Sequence, residues 1–159
     1  MSTTRTSPAK RRYQAYISYR REDNRHEGRR WGNWLQENLE GFRVPPKFAG
    51  QRNSREEDAP ESLFPIYCAT EPHQGEELSE ASLEALRTSE ALVVVASPEA
   101  ANCNFMREEI RFFKEIGRAD RIVVLLIAGE PHADIPTKAE FGISEKDECL
   151  AEELRYGKP

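Results

Sequence analysis

The sequence predicts an α/β fold, a parallel sheet whose strands are joined by crossover helices. Three observations carry that prediction. Four short stretches, YQAYISY, LFPIYCA, ALVVVA and RIVVLLIAG, are dominated by β-branched, aromatic and aliphatic residues. Between them lie segments with apolar residues at helical spacing. Strands that alternate with helices in this way pair in parallel. The chain has 159 residues, enough for one domain with a single core and too few for two comfortable ones.

In chain order, residues 1–12 (MSTTRTSPAKRR) are polar, contain Pro8 and lack periodicity, so a disordered basic leader is expected before a domain spanning 13–159. Tyr13 to Tyr19 is the first strand. The polar loop Arg20 to Asn24 follows at its carboxyl end, where open α/β sheets bind ligands. Judged by charge alone, Arg20 and Arg21 are a solvated pair. Glu27 to Glu40 is an amphipathic helix carrying Trp31, Trp34, Leu35 and Leu39, with Gly41 as its stop, and the tryptophans are expected in the core. Residues 42–62 hold three prolines and a charged cluster and form a long surface connection with no assigned chemistry. Leu63 to Ala69 is the second strand, and Pro65 places it at an edge. The loop Thr70 to Glu77 leads into a helix from Leu78 to Ser89. Ala91 to Ala96 is a third strand, so continuously apolar that both faces are expected to be covered. Ser97 and Pro98 resemble an N-cap and a first-turn proline. Phe105 to Ile116 is a helix closed by Gly117, and Arg121 to Gly129 is a fourth buried strand. A loop to Ser144 and a short element from Cys149 to Tyr156 complete the chain.

Composition excludes several classes. The longest apolar run, Ile122 to Ala128, has seven residues, far below the ~20 that cross a bilayer. The basic start has no apolar stretch behind it, so a secretory signal is not expected. Cys68, Cys103 and Cys149 are too widely spaced for a thiolate metal site and too few for a disulfide framework, which makes a reducing cytoplasm the default. Residues 1–30 carry a net charge of +6 and the remainder −11. That asymmetry can draw an anion locally, but without an aromatic-interleaved basic stripe it makes no case for nucleic-acid binding. No dinucleotide Gly-x-Gly-x-x-Gly and no P-loop is present. His26, His73 and His132 lack metal spacing, and Ser97 lacks a nucleophile elbow.

One residue breaks the pattern. On a helix from Phe105 to Ile116, the residues Phe105, Met106, Ile110, Phe112, Phe113 and Ile116 share one arc, while Arg107, Glu108, Arg111, Lys114 and Glu115 take the other. Glu109 falls near the centre of the apolar arc. A carboxylate there must lose water or find a partner, and desolvation would raise its pKa. Either it lies at a cleft edge or it is a structural ion paired with an arginine.

The order AYISYRRE, a Gly-containing loop after LFPIYCA, ALVVVASPEA, NFMREEIRFF and RIVVLLIAGEP resembles a Toll/interleukin-1 receptor (TIR) domain, in particular its bacterial branch. The resemblance runs from about Tyr13 to Pro131 and more faintly to Tyr156. It implies a flavodoxin-like three-layer fold, with a central parallel sheet of four to five strands and helices on both faces. Many bacterial and plant members cleave NAD+, so the resemblance implies an NAD+ glycohydrolase with NAD+ as substrate and no separate cofactor. In the family an aromatic residue, usually Trp, precedes the catalytic glutamate by four positions. Phe105 takes the aromatic position and Glu109 the catalytic one. Tyr19, Arg20 and Arg21 match the end of the first strand that lines the nucleotide cleft, and Ser97 matches the serine closing the third strand. The loop Thr70 to Glu77 lacks the family's usual Arg-Asp run, and the chain stops where a fifth helix is expected, as a truncated piece of a longer protein would.

The chemistry implied suits one carboxylate. Nicotinamide leaves NAD+ as a neutral molecule and needs no proton, unlike an ordinary glycoside leaving group. Glu109 would hold ribose hydroxyls and stabilise positive charge at the anomeric carbon. Phe105 and Tyr19 would wall the rings, and Arg20 or Arg21 would meet phosphates. Water as acceptor gives ADP-ribose; an adenine nitrogen gives a cyclic isomer. The resemblance also implies homotypic self-association, a fused sensor domain and a part in bacterial immune signalling. Two alternatives stand beside it: a TIR docking scaffold without turnover, and a response-regulator-like module, which Arg20 and Arg21 disfavour by standing where an acidic cluster would lie.

Overall fold

A computed structural model describes residues 11–24, 30–53, 56–68 and 78–155. Within them the chain forms β1 (Tyr13–Ser18), α1 (Trp31–Glu40), β2 (Ile66–Cys68), α2 (Glu80–Arg87), β3 (Ser89–Ala96), α3 (Asn104–Glu115) and β4 (Ile122–Leu126). All strand pairings are parallel, in the order β2-β1-β3-β4. Tyr16 of β1 lies beside Tyr67 of β2 and Leu92 of β3, and Ser18 lies beside Val94. The order changes direction between β1 and β3, and such a switch point opens a crevice outside the carboxyl ends of the strands.

Strand alternation builds the layers. Ala15 and Ile17 of β1 join Ile66, Val93, Val95 and Leu35 of α1 in one cluster, with Trp31, Trp34 and Leu39 packed against it. Tyr16, Leu92 and Val94 point to the other face, where Ala85 and Leu86 of α2 and Met106, Ile110 and Phe113 of α3 cover them. The molecule is therefore a flavodoxin-like three-layer α/β fold, as expected, with helices on both faces of the sheet. Trp31 and Trp34 meet edge to face at 5.6 Å within this packing, which is the core role anticipated for them. Ser79 caps α2 by accepting from the Ser82 amide at 3.1 Å.

β2 sits at the sheet edge, as Pro65 indicated, but is shorter than the expected Leu63 to Ala69. Pro65 offers only a carbonyl, which accepts from the Gln14 amide at 2.8 Å, and the ladder proper begins one residue later. β3 is central and buried as expected. β4 is a correction. It was expected to be buried, yet Val123, Val124 and Leu126 are 55%, 38% and 45% exposed. Among the described residues β4 pairs with β3 alone and forms the other edge. A continuous apolar run reports affinity for burial, not whether an outer neighbour is present.

Two residues of the expected leader, Arg11 and Arg12, lie among the described residues. Arg11 donates to the Arg87 carbonyl at 3.0 Å and pairs with Glu90 at 3.4 Å, and the Arg12 amide donates to the Thr88 carbonyl at 2.8 Å, so both residues are tied to the start of β3. Residues 1–10, the expected helix start at Glu27, His26, His73 and the loop Thr70 to Glu77 lie outside the described residues. The short element expected from Cys149 to Tyr156 is a single 3-10 turn, Glu152–Leu154. Glu153 fastens it to α3 by accepting from Arg107 and Arg111 at 3.0 Å each.

Candidate functional site

Two groups of polar residues meet the sheet near its carboxyl rim. The first bridges the switch point. Arg20, just beyond β1, donates to both carboxylate oxygens of Asp23, Nε at 3.2 Å and Nη2 at 3.1 Å. That pairing raises the guanidinium pKa further. Ser97, at the end of β3, donates its hydroxyl to the same Asp23 at 3.4 Å and accepts from the Ala100 amide at 3.1 Å. Ser97 thus accepts from an amide three residues on, in the manner its sequence neighbourhood suggested, but it stands ahead of the 3-10 turn Ala100–Asn102, whose N-cap position is Glu99, and does not cap α3. Ser97→Ala removes both bonds and is expected to lower stability by about 1 kcal/mol, measurable as a reduced urea midpoint. An unchanged midpoint would show that these bonds contribute nothing.

The sequence-predicted residues separate in space. Arg20 and Ser97 come together through Asp23. Tyr19 is half-buried and packs on the α1 side of the sheet, where Gly32 makes room for it: a Cβ on Gly32 would stand 3.2 Å from two Tyr19 ring carbons. Arg21 is exposed and is not drawn into the group. Phe105 and Glu109 lie on α3, four residues apart and therefore on one side of the helix.

Glu109 is the centre of the second group. It is 2% exposed, between α3 and the sheet, beside Met106, Ile110 and Phe113. Its Oε2 is wholly shielded from solvent. Among the described residues, the Tyr16 hydroxyl of β1 lies within hydrogen-bonding reach of both the Glu109 carboxylate and Ser82 of α2. Burial, then the adjacent Glu109 charge, push the Tyr16 pKa far up, so Tyr16 stays a neutral O–H donor. Tyr16 stacks on Tyr67 at 5.0 Å, and Ser82 accepts from the Ser79 hydroxyl at 3.0 Å. Glu109 also helps to raise the pKa of Tyr19 and of Tyr67, after burial and nearer neighbours. These two tyrosines therefore feel its field.

Tyr16, Ser82, Tyr67 and Asp23 were missed by sequence reasoning. The signal for Tyr16 was present, since two-residue periodicity in YQAYISY puts it on the face that helix α3 covers. The pairing with Glu109 carried no signal, because it joins positions 93 residues apart in the chain.

A second buried acid provides a contrast. Glu148 accepts from the amides of His132 (3.3 Å), Ala133 (2.9 Å) and Leu150 (3.0 Å), which is the behaviour of a structural ion tying turns together. Glu109 instead lies in an aromatic layer below the rim. There a carboxylate can stabilise positive charge developing on a bound ligand. Cys68 offers no rival nucleophile: burial, reinforced by Glu40 and only partly offset by a hydrogen bond with Tyr19, pushes its pKa up to about 11. Among the described residues no group of three His, Cys, Asp or Glu is placed to hold a metal ion, and no helix is long and apolar enough to cross a membrane. No family model matches the chain, and comparison with curated proteins gives no match.

Proposed function

We propose that the chain is a TIR-type NAD+ glycohydrolase, cleaving the bond between nicotinamide and ribose. The observation that supports this most is Glu109, a carboxylate buried in an aromatic layer, four residues after Phe105 and beside the Tyr16 hydroxyl. The field of this carboxylate reaches Tyr16, Tyr19 and Tyr67.

In the proposed reaction the C–N bond to nicotinamide breaks and its electron pair stays on the pyridine nitrogen. Glu109 accepts hydrogen bonds from ribose hydroxyls and stabilises the positive charge at the anomeric carbon. Water adds there and loses a proton to give ADP-ribose, or an adenine nitrogen adds to give a cyclic isomer. Tyr19 and Phe105 border the rings. A phosphate at the rim would compete with Asp23 for Arg20, since both are anions seeking the same guanidinium. Self-association, a cytoplasmic setting, a fused sensor and a role in bacterial immune signalling belong to the same proposal and rest on the resemblance.

Concentrated protein incubated with NAD+ is expected to release nicotinamide, followed chromatographically, with a specific rate that rises with protein concentration. Absence of nicotinamide across the whole concentration range would remove the enzymatic proposal. The remaining reading would be a TIR-type docking module, a role that the exposed apolar edge of β4 suits.

A further inference from the structure

Among the described residues, buried hydroxyls are bonded, with one exception. Thr88 donates to the Glu84 carbonyl at 2.8 Å and Ser89 to the Ala85 carbonyl at 2.6 Å. Ser82 accepts from Ser79, and Ser97 bonds Asp23 and Ala100. Ser18 is 1% exposed, and its Oγ has no hydrogen-bond partner among the described residues. Leaving a buried hydroxyl unsatisfied costs about 1–3 kcal/mol, so an alanine would serve better if packing were the only demand.

The position of Ser18 indicates what the hydroxyl is for. It is the last residue of β1, at the carboxyl end of the strand and next to the switch point. Alternation along β1 puts it on the same face as Tyr16, and its register partner Val94 belongs to the cluster that Met106 and Ile110 of α3 complete. Ser18 therefore faces the layer that holds Glu109, one side-chain step closer to the rim than Tyr16.

We propose that Ser18 is a ligand-contacting residue whose hydroxyl donates to the ribose diol that Glu109 engages. An ionised carboxylate only accepts hydrogen bonds, so a hydroxyl that donates to it still needs a donor for its own lone pairs. Ser18 supplies that donor from the strand side while Glu109 accepts from the helix side. The inference deepens the NAD+ reading and rests on it.

The test compares Ser18→Ala with wild type by nicotinamide release, by thermal unfolding, and by the rise in Tm that ADP-ribose produces. Expected are a KM for NAD+ raised about tenfold, one hydrogen bond's worth, an unfolding temperature unchanged or raised, and a smaller ADP-ribose shift. A lowered unfolding temperature with unchanged KM would make the hydroxyl structural and overturn the assignment. Unchanged KM and unchanged ADP-ribose shift in an active enzyme would overturn it alone and leave the NAD+ reading standing. A wild-type protein that neither releases nicotinamide nor responds to ADP-ribose removes both.

Discussion

Glu109→Gln is expected to lower nicotinamide release by about 10³-fold, the scale on which removing a single preorganised electrostatic group slows an enzyme. The amide keeps the shape of the side chain and still offers an oxygen to Tyr16. Folding should therefore survive. Glu108→Gln is the control. Its carboxylate is only partly buried on the same helix and should tolerate the change with little loss of rate. Activity lost only at Glu109, together with an unchanged or higher Tm, separates a catalytic carboxylate from a structural one. A structural acid would give the reverse, a lower Tm with activity falling only as far as the folded fraction does.

Gly129→Ala is expected to give the largest loss of stability of any glycine-to-alanine change among the described residues. Gly129 follows β4 with φ of +90°, a conformation that L side chains rarely adopt. A Cβ there would lie 2.7 Å from the Asp147 carbonyl oxygen, 2.8 Å from the Cys149 Cβ and 2.9 Å from the Pro98 Cδ. None of these three neighbours can rotate away. Backbone strain and overpacking together should cost about 3 kcal/mol. At a urea m-value near 2 kcal/mol/M, the midpoint should fall by about 1.5 M. Pro98 adjoins Ser97, so the rim should loosen as well. A midpoint within ~0.3 M of wild type would mean that the turn from Gly129 to Cys149 yields easily and does not brace the rim.

Much of the fold was legible because it is written in local periodicity. The two-residue alternation of YQAYISY sorts Ala15 and Ile17 from Tyr16 and Ser18, and the structure uses that division to build its two cores. The arc containing Met106, Ile110 and Phe113 is the buried face of α3, and Glu109 lies within it as the wheel required. β4 was misjudged for a reason of the same kind. Burial of an apolar strand depends on a neighbour across the edge, and that neighbour is no part of the strand's own pattern.

The site was legible only in outline. Glu109 could be singled out on physical grounds, because an acid among apolar residues conflicts with its own hydration wherever the helix packs. That the Tyr16 hydroxyl would stand beside it could not be read from the sequence. Arg20 was placed at the rim by its position after a strand, but its engagement with Asp23 and, through Asp23, with Ser97 depends on two loops approaching across the switch point. Ser18 escaped attention because a small hydroxyl in a strand is unremarkable until every neighbouring hydroxyl is seen to be bonded.

By itself the sequence determined the layers: where strands and helices lie, which side of each is apolar, and that one acid sits on the wrong side. These follow from hydration and backbone geometry acting over a few residues. Only the tertiary structure decided which groups share the space around that acid, which strand is left at an edge, and which hydroxyl goes without a partner. Such facts arise when residues scores of positions apart are packed against one sheet, and no short-range pattern records them.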